Sequence, residues 1–380
     1  MMEVEVVVVG AGVVGACTAL SLIQEGKKTL LIDQYTAPNS LGSSMGQSRI
    51  TRHAHSGPKQ LSPILNLAHK KWAEISSQVN EELISPAQML VVSHERKEVE
   101  RLAESMKQSG LTPSWLTPKQ TNTKYKTRFP DDTFMFEDRS GGVMKADRCL
   151  AAVMRLYREK GGEVLEGWKV EGVEERSKEG HGGVRVWGPK GEVRALSVVL
   201  CLGPWINSLQ CNLNVHLPIQ PIKTRASFMR NEGLPNSTIY YIQDSAVAFY
   251  ILPAMDSEGL IKVGTNVGLA VTPDSDDEGD KGLTHLKEMI ADFSSRYLPL
   301  HPEEERHETC WYSETPDKEF MLDRHPQHPD ILLVVGFSST GFKTAPAIGH
   351  IAAHMVVGKD HGFDISPFSV HRFIPSKSKI

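Results

Sequence analysis

With 380 residues the chain is long enough for roughly two or three domains and for a core that needs no metal or disulfide to hold it. Its 40% hydrophobic and 23% charged residues are those of a folded globular protein, which excludes a disordered or fibrous chain. Forty-two Lys+Arg against 46 Asp+Glu leave a net charge of −4, a poor match for nucleic acid or an anionic membrane surface.

From Val6 to Gln24 there is no charge, a run that imitates a membrane span or a leader peptide. The acidic flank of Glu3 and Glu5 and the interrupting Gly10, Gly12 and Gly15 point instead to a buried strand at 4–9, a tight turn, and a helix to about residue 24 that Gly26 stops. A second buried strand follows at 29–32. No other segment is apolar enough to span a bilayer, so no membrane partner is expected. Apolar residues at helical spacing predict helices at 63–79, 96–109, 147–160 (with Asp147 as N-cap), 284–297 and 346–357. Alternating or continuous β-branched runs predict strands at 88–92, 163–173, 183–188, 193–202, 218–228, 238–252, 259–265, 307–313 and 331–336. The ends and middle of the chain therefore read as βα units, while 218–265 is strand after strand. That pattern predicts an α/β domain with a parallel sheet, interrupted by a mainly antiparallel one. The stretch 272–280 reads as an acidic surface loop.

The five cysteines, Cys17, Cys149, Cys201, Cys211 and Cys310, are odd in number, scattered, and form no CxxC, so neither a disulfide framework nor a zinc site is expected. His53 and His55, and the proline-flanked His325 and His328, lack the context of a metal box; no metal is expected.

Gly10-Ala11-Gly12-Val13-Val14-Gly15 follows a strand and opens a helix, and Asp33 ends the next strand. This is a dinucleotide fingerprint in its proper setting. Gly10 permits the turn, Gly12 lets the backbone approach a pyrophosphate, Gly15 lets the helix pack on the strand, and Asp33 is placed to accept from a ribose. The fingerprint alone does not choose FAD over NAD(P). Two later features favour FAD: a buried strand running into Gly203-Pro204-Trp205, and another ending in Gly336 ahead of Gly341 and a helix whose N-terminus is placed to close over a flavin.

Three segments together carry a resemblance: Gly42 to His53 (GSSMGQSRITRH), Cys310 to Asp317 (CWYSETPD), and Gly336 to Lys343 (GFSSTGFK). With the fingerprint they resemble the monomeric sarcosine oxidase family, which includes peroxisomal sarcosine and L-pipecolate oxidases and N-methyltryptophan oxidases, over essentially the whole chain. The resemblance implies a glutathione-reductase-type FAD domain built from 1–82, 143–214 and 318–370, an antiparallel-sheet substrate domain from 83–142 and 215–317, and a tail at 371–380. It implies oxidation of a secondary or N-methyl amino acid at its C–N bond, with oxygen converted to hydrogen peroxide, by a monomer whose partners are a small amino acid and O2. Cys310 falls where that family tethers the flavin covalently, and Arg49 falls beside the flavin. Arg52 and Lys343 fall where the family clamps the substrate carboxylate. Lys262 falls at the oxygen-activating lysine, although a strand lysine between Ile261 and Val263 also reads as pointing to solvent. Tyr250 and Tyr312 fall at the pocket wall. Gln34, Ser43, Ser44, Val170, Gly203, Trp205, Gly336, Ser338, Gly341, Phe342 and Lys343 join the fingerprint as expected cofactor contacts. Met45 and Asn266 depart from the family, standing where relatives carry histidine, and are read as substrate-pocket positions. Two other readings stay open: an FAD dehydrogenase with another electron acceptor, and a flavin-retaining protein without catalysis. The last three residues, Ser378-Lys379-Ile380, resemble the peroxisomal S-K-L address, which predicts an import receptor and a peroxisomal location, with the cytoplasm as the alternative.

Overall fold

A computed structural model describes residues 2–36, 41–175, 182–209, 213–244, 246–275 and 281–374; Cys211, most of the acidic loop and Ser378-Lys379-Ile380 lie outside them. Two large sheets and one small one organise the chain.

The first sheet is built around Met2–Val9, whose Val6, Val7, Val8 and Val9 are buried on both faces. It pairs in parallel with Thr29–Ile32 on one side and Gly191–Leu200 on the other, and Glu163–Leu165 extends it in parallel beyond Thr29–Ile32. Ile331–Val335 pairs in parallel with the end of Gly191–Leu200. The antiparallel Val184–Gly188 and Gly172–Glu175 complete the opposite edge. Helices Val13–Gln24, Leu61–Val79, Ala146–Glu159 and Gly341–Val357 bury their apolar sides in one core on a single face of this sheet. A three-stranded sheet of Ser48–Thr51, Gly142–Lys145 and Ile84–Pro86 joins it to the second large sheet.

The second sheet has nine strands and is antiparallel except where Ser237–Ile242 runs parallel to Gln88–Ser93. Its strand alternation fixes what faces what. Ile239, Tyr241, Phe249, Ile251, Ile261 and Val263 form one core with Ile290 and Phe293 of the Thr284–Tyr297 helix; the Phe249 and Phe293 rings stack at 4.0 Å. The intervening Tyr240, Tyr250, Leu252 and Lys262 line a cavity on the other face.

The structure corrects several sequence expectations. Residues 163–173 are not one strand: Glu163–Leu165 and Gly172–Glu175 lie at different places in the sheet, separated by a turn at Gly167 with φ +66°. Residues 238–252 form a hairpin, Ser237–Ile242 and Ala248–Pro253, whose turn is held by the Asp244 carboxylate accepting from the Ala246 and Val247 amides. The strand expected at 307–313 extends over Leu300–Glu314, because its outer part is polar and pairs along the whole of Gln220–Asn231. The last helix begins at Gly341 rather than 346 and runs through Pro346, which cannot donate to the Phe342 carbonyl and so had the look of a first-turn residue. Asp147 sits within the first turn of its helix instead of capping it. The helix Pro118–Tyr125, fixed by a Thr117–Gln120 capping box, had no apolar periodicity to announce it. Among the described residues no helix is long and apolar enough to cross a membrane and no cluster could hold a metal.

Candidate active site

The cavity, ≈ 290 Å³, opens between the two large sheets. At one end lies the glycine turn. Gly10 has φ +102°, and a Cβ there would stand 2.3 Å from the Cys201 carbonyl oxygen; one on Gly15 would stand 1.8 Å from the Gly10 oxygen. Neither position accepts a side chain, so strand, turn and helix close on each other. The Val13–Gln24 helix has no acidic residue in its first turn, which leaves its positive end free for an anion. Asp33 accepts from the Ala11 amide at 2.7 Å through one oxygen and from the Tyr35 amide at 2.8 Å through the other. A carboxylate has about four acceptor sites, so two remain for hydroxyls. Burial pushes the Asp33 acid up, and these two amides act against that. Ser44 Oγ accepts from the Val13 amide at 2.9 Å, and the buried Ser43 Oγ has no partner.

In the middle, Arg49 donates to the carbonyls of Ser48 at 2.8 Å, Ser43 at 3.0 Å and Met45. Met45 therefore serves the site through its backbone. Burial opposes the Arg49 charge, but the neighbouring Cys310 and Glu308 outweigh it and hold the guanidinium charged. Tyr250 and Tyr312 are hydrogen-bonded to each other, and burial pushes both phenols above their ordinary range. Tyr250 lies flat on Gly264, where a Cβ would meet its ring at 2.2 Å. We expect Gly264→Ala to displace that ring and cost about 1–3 kcal/mol, read by thermal unfolding, with a loss of turnover. Cys310 is buried and lines the cavity, as does Cys201 at the glycine turn, whereas Cys17 and Cys149 are packed in the core. Burial pushes the Cys149 and Cys201 thiols up to about 12, which makes them inert.

At the far end Arg52 and Lys343 converge. The Arg52 guanidinium lies 4.0 Å over the Tyr240 ring, and its buried Nη1 has no hydrogen-bond partner. Lys343 is 7% exposed; burial, then Arg52, push its ammonium down to about 7, with Glu319 acting against them. Its backbone carbonyl is anchored by Trp72 Nε1 at 3.2 Å. The chain reaches this point through two consecutive left-handed residues, Ser338 (φ 42°) and Ser339 (φ 79°). Ser338 Oγ accepts from the Thr315 amide at 3.0 Å, tying the helix start to the end of the Cys310 strand. Strain of this kind, of order 1–3 kcal/mol, persists where surrounding structure enforces it.

Of the residues assigned to the site from the sequence, all but Gly336 line this cavity. Gly336 is a turn residue with φ +72°, and a Cβ there would meet Thr315 at 2.7 Å. Asn266 lines the cavity, but its amide oxygen accepts from the Ala248 amide at 2.7 Å and its nitrogen donates to Ala246 at 3.0 Å, so its polar atoms clasp the hairpin turn. Lys262 is 2% exposed and does not point to solvent. Tyr240 and Glu308 were missed. Even spacing from Tyr250 across a hairpin marks Tyr240 once the turn is known; Glu308 has no local signal. His53 stacks on His69 at 3.8 Å and bonds Ser140 at 2.8 Å, a packing role.

The elongated cavity, with a glycine turn and acid at one end and two cations at the other, fits a dinucleotide followed by a small anion. The description "FAD dependent oxidoreductase" matches residues 5–355. The chain belongs to that family. It is 30% identical to a peroxisomal sarcosine oxidase of Mus musculus, over 97% of this chain and 96% of the relative, and 25% identical to a monomeric sarcosine oxidase of a Bacillus species, with the same coverage. Its fold matches the amino acid oxidase NikD with a TM-score of 0.83 at 21% identity, over 97% of this chain and 98% of the other. As a family member it is an FAD-dependent oxidoreductase, and FAD is the dinucleotide that the glycine turn, the Asp33 carboxylate and the unpartnered Ser43 hydroxyl fit.

Proposed function

We propose that the protein is an oxidase of small secondary or N-methyl amino acids, such as sarcosine, L-pipecolate or L-proline, which converts their C–N bond to an imine and reduces O2 to hydrogen peroxide. The observation that carries this is the unpartnered, buried Arg52 Nη1 in the same cavity end as Lys343. Two cations that share one cavity end suit a carboxylate, and a guanidinium held against a ring is preorganised to take it. The names of the relatives support the amine class.

Bound FAD supplies the two-electron acceptor. Gly10, Gly12, Gly15 and Asp33 hold its dinucleotide end. Arg52 and Lys343 orient the substrate carboxylate, Tyr240, Tyr250 and Tyr312 wall the pocket, and Lys262 stabilises negative charge developing on oxygen. In this reading residues 1–82, 143–214 and 318–370 hold the cofactor and 83–142 with 215–317 supply the substrate wall. Cys310, with the charged Arg49 beside it, is the residue that would tether the flavin through a thioether. The protein works as a monomer in the peroxisome, a reading supported by the names of its bacterial and mammalian relatives respectively.

Peroxide release on adding sarcosine, L-pipecolate or L-proline tests the activity; no peroxide with any of them overturns it. Acid precipitation tests the tether separately. Yellow colour is expected to stay with the pellet in the wild type and to leave with the supernatant in Cys310→Ser.

A further inference from the structure

Lys262 and Glu308 lie on strands that flank Gln220–Asn231 on opposite sides. Lys262 is paired with Phe228, and Glu308 with Ala226, the residue that also faces Gly264. The two side chains are thus one two-residue step apart on one face of the sheet. On the middle strand the small Ala226 methyl leaves room beside Phe228, so both side chains reach across it, and Lys262 Nζ pairs with Glu308 Oε1. The Lys262 side chain is 2% exposed and that of Glu308 17%, so the pair is shielded from water. The same oxygen accepts from Cys310 Sγ at 3.9 Å and lies 3.2 Å from where a Cβ on Gly46 would stand. It also helps to hold Arg49 charged. The ammonium has little else to lean on: it is 5.9 Å from the Phe228 ring, which Arg306 already covers at 3.6 Å.

We propose that Glu308 is the positioning residue of this wall, holding the Lys262 ammonium toward the cavity and cancelling its charge, so that Arg49 is left as the net cation beside the cofactor. The inference rests on the reading that FAD fills the cavity, and it assigns the charge of the wall to a carboxylate that does not itself line it. An anion beside a redox centre opposes the arrival of electrons, and a shielded one does so with little screening.

The test is the midpoint potential of the holoenzyme, measured by reductive titration against a reference dye at pH 8. Glu308→Gln is expected to move it to a more positive value, Lys262→Met to a more negative one, and the double variant to return close to wild type. Glu308→Asp, which keeps the charge, is expected to stay near wild type. A Glu308→Gln holoenzyme with full cofactor content and an unmoved potential overturns the proposal. If that variant does not accumulate, Lys262→Met alone carries the test, and an unmoved potential there overturns it equally. Reaction of the reduced enzyme with oxygen separates this from the oxygen role. If Lys262→Met reacts with oxygen like wild type, that role fails and the potentials still decide for or against Glu308.

Discussion

Lys262→Met is expected to slow reaction of the reduced enzyme with oxygen by about 10²–10³-fold, the usual cost of removing one preorganised donor aimed at developing negative charge. Anaerobic reduction by substrate should change far less, only as much as the lowered potential requires, because the carboxylate clamp is formed by Arg52 and Lys343, on other elements. Stopped-flow measurement of the two half-reactions checks this directly. The expectation follows from burial: the Lys262 side chain is 2% exposed and faces the cavity, between two residues that face the opposite core. Equal slowing of both half-reactions would mean that the substitution has disturbed the whole pocket. An unchanged oxygen reaction would favour a dehydrogenase with another acceptor.

Carboxylate binding is expected to weaken as pH rises through 7. In the free site burial and Arg52 push Lys343 down to about 7, so its ammonium form dominates below that pH and is lost above it. A bound carboxylate favours the charged form, so binding takes up a proton. Affinity is therefore flat below about 7 and falls roughly tenfold per pH unit above it, until the pH reaches the higher value that Lys343 has in the complex. Glu319, which burial and then Asp317 push up to about 7, changes charge over the same range and adds to the slope. A small monocarboxylate without an amine isolates the effect, and its perturbation of the flavin spectrum from pH 6 to 9 reads it. Lys343→Met should flatten most of the profile and weaken binding by about 2–5 kcal/mol. A wild-type affinity independent of pH would show that Lys343 is not titrating against the ligand.

Much of this site was legible in the chain because its chemistry rests on local signals. The glycines of the first turn announce themselves by spacing, and their structural reason is local too: no Cβ fits at Gly10 or Gly15. Arg52, Lys343 and Cys310 were legible only through the motifs around them. What stayed hidden depends on turns and long pairings. Tyr240 was buried in a predicted strand at 238–252, and its facing could not be read until the Asp244 turn divided that run. Glu308 is 46 residues from its lysine partner and meets it only because a third strand, with alanine at 226, lies between. Asn266 read as a pocket residue by position, while its amide is spent on the backbone of Ala246 and Ala248.

The division of the three strands between 237 and 265 into odd residues under the Thr284–Tyr297 helix and even residues on the cavity has an evolutionary consequence. Positions 240, 250 and 252 can exchange side chains, and with them the preferred amine, without disturbing the aromatic layer that stabilises the sheet. Length changes have the opposite effect. One residue inserted between 260 and 262 would exchange the two sets from there on, turning Lys262 into the apolar layer and a valine or isoleucine toward the substrate. New substrate preferences in this lineage are therefore expected to arise by substitution on the even positions and by insertions confined to the turns.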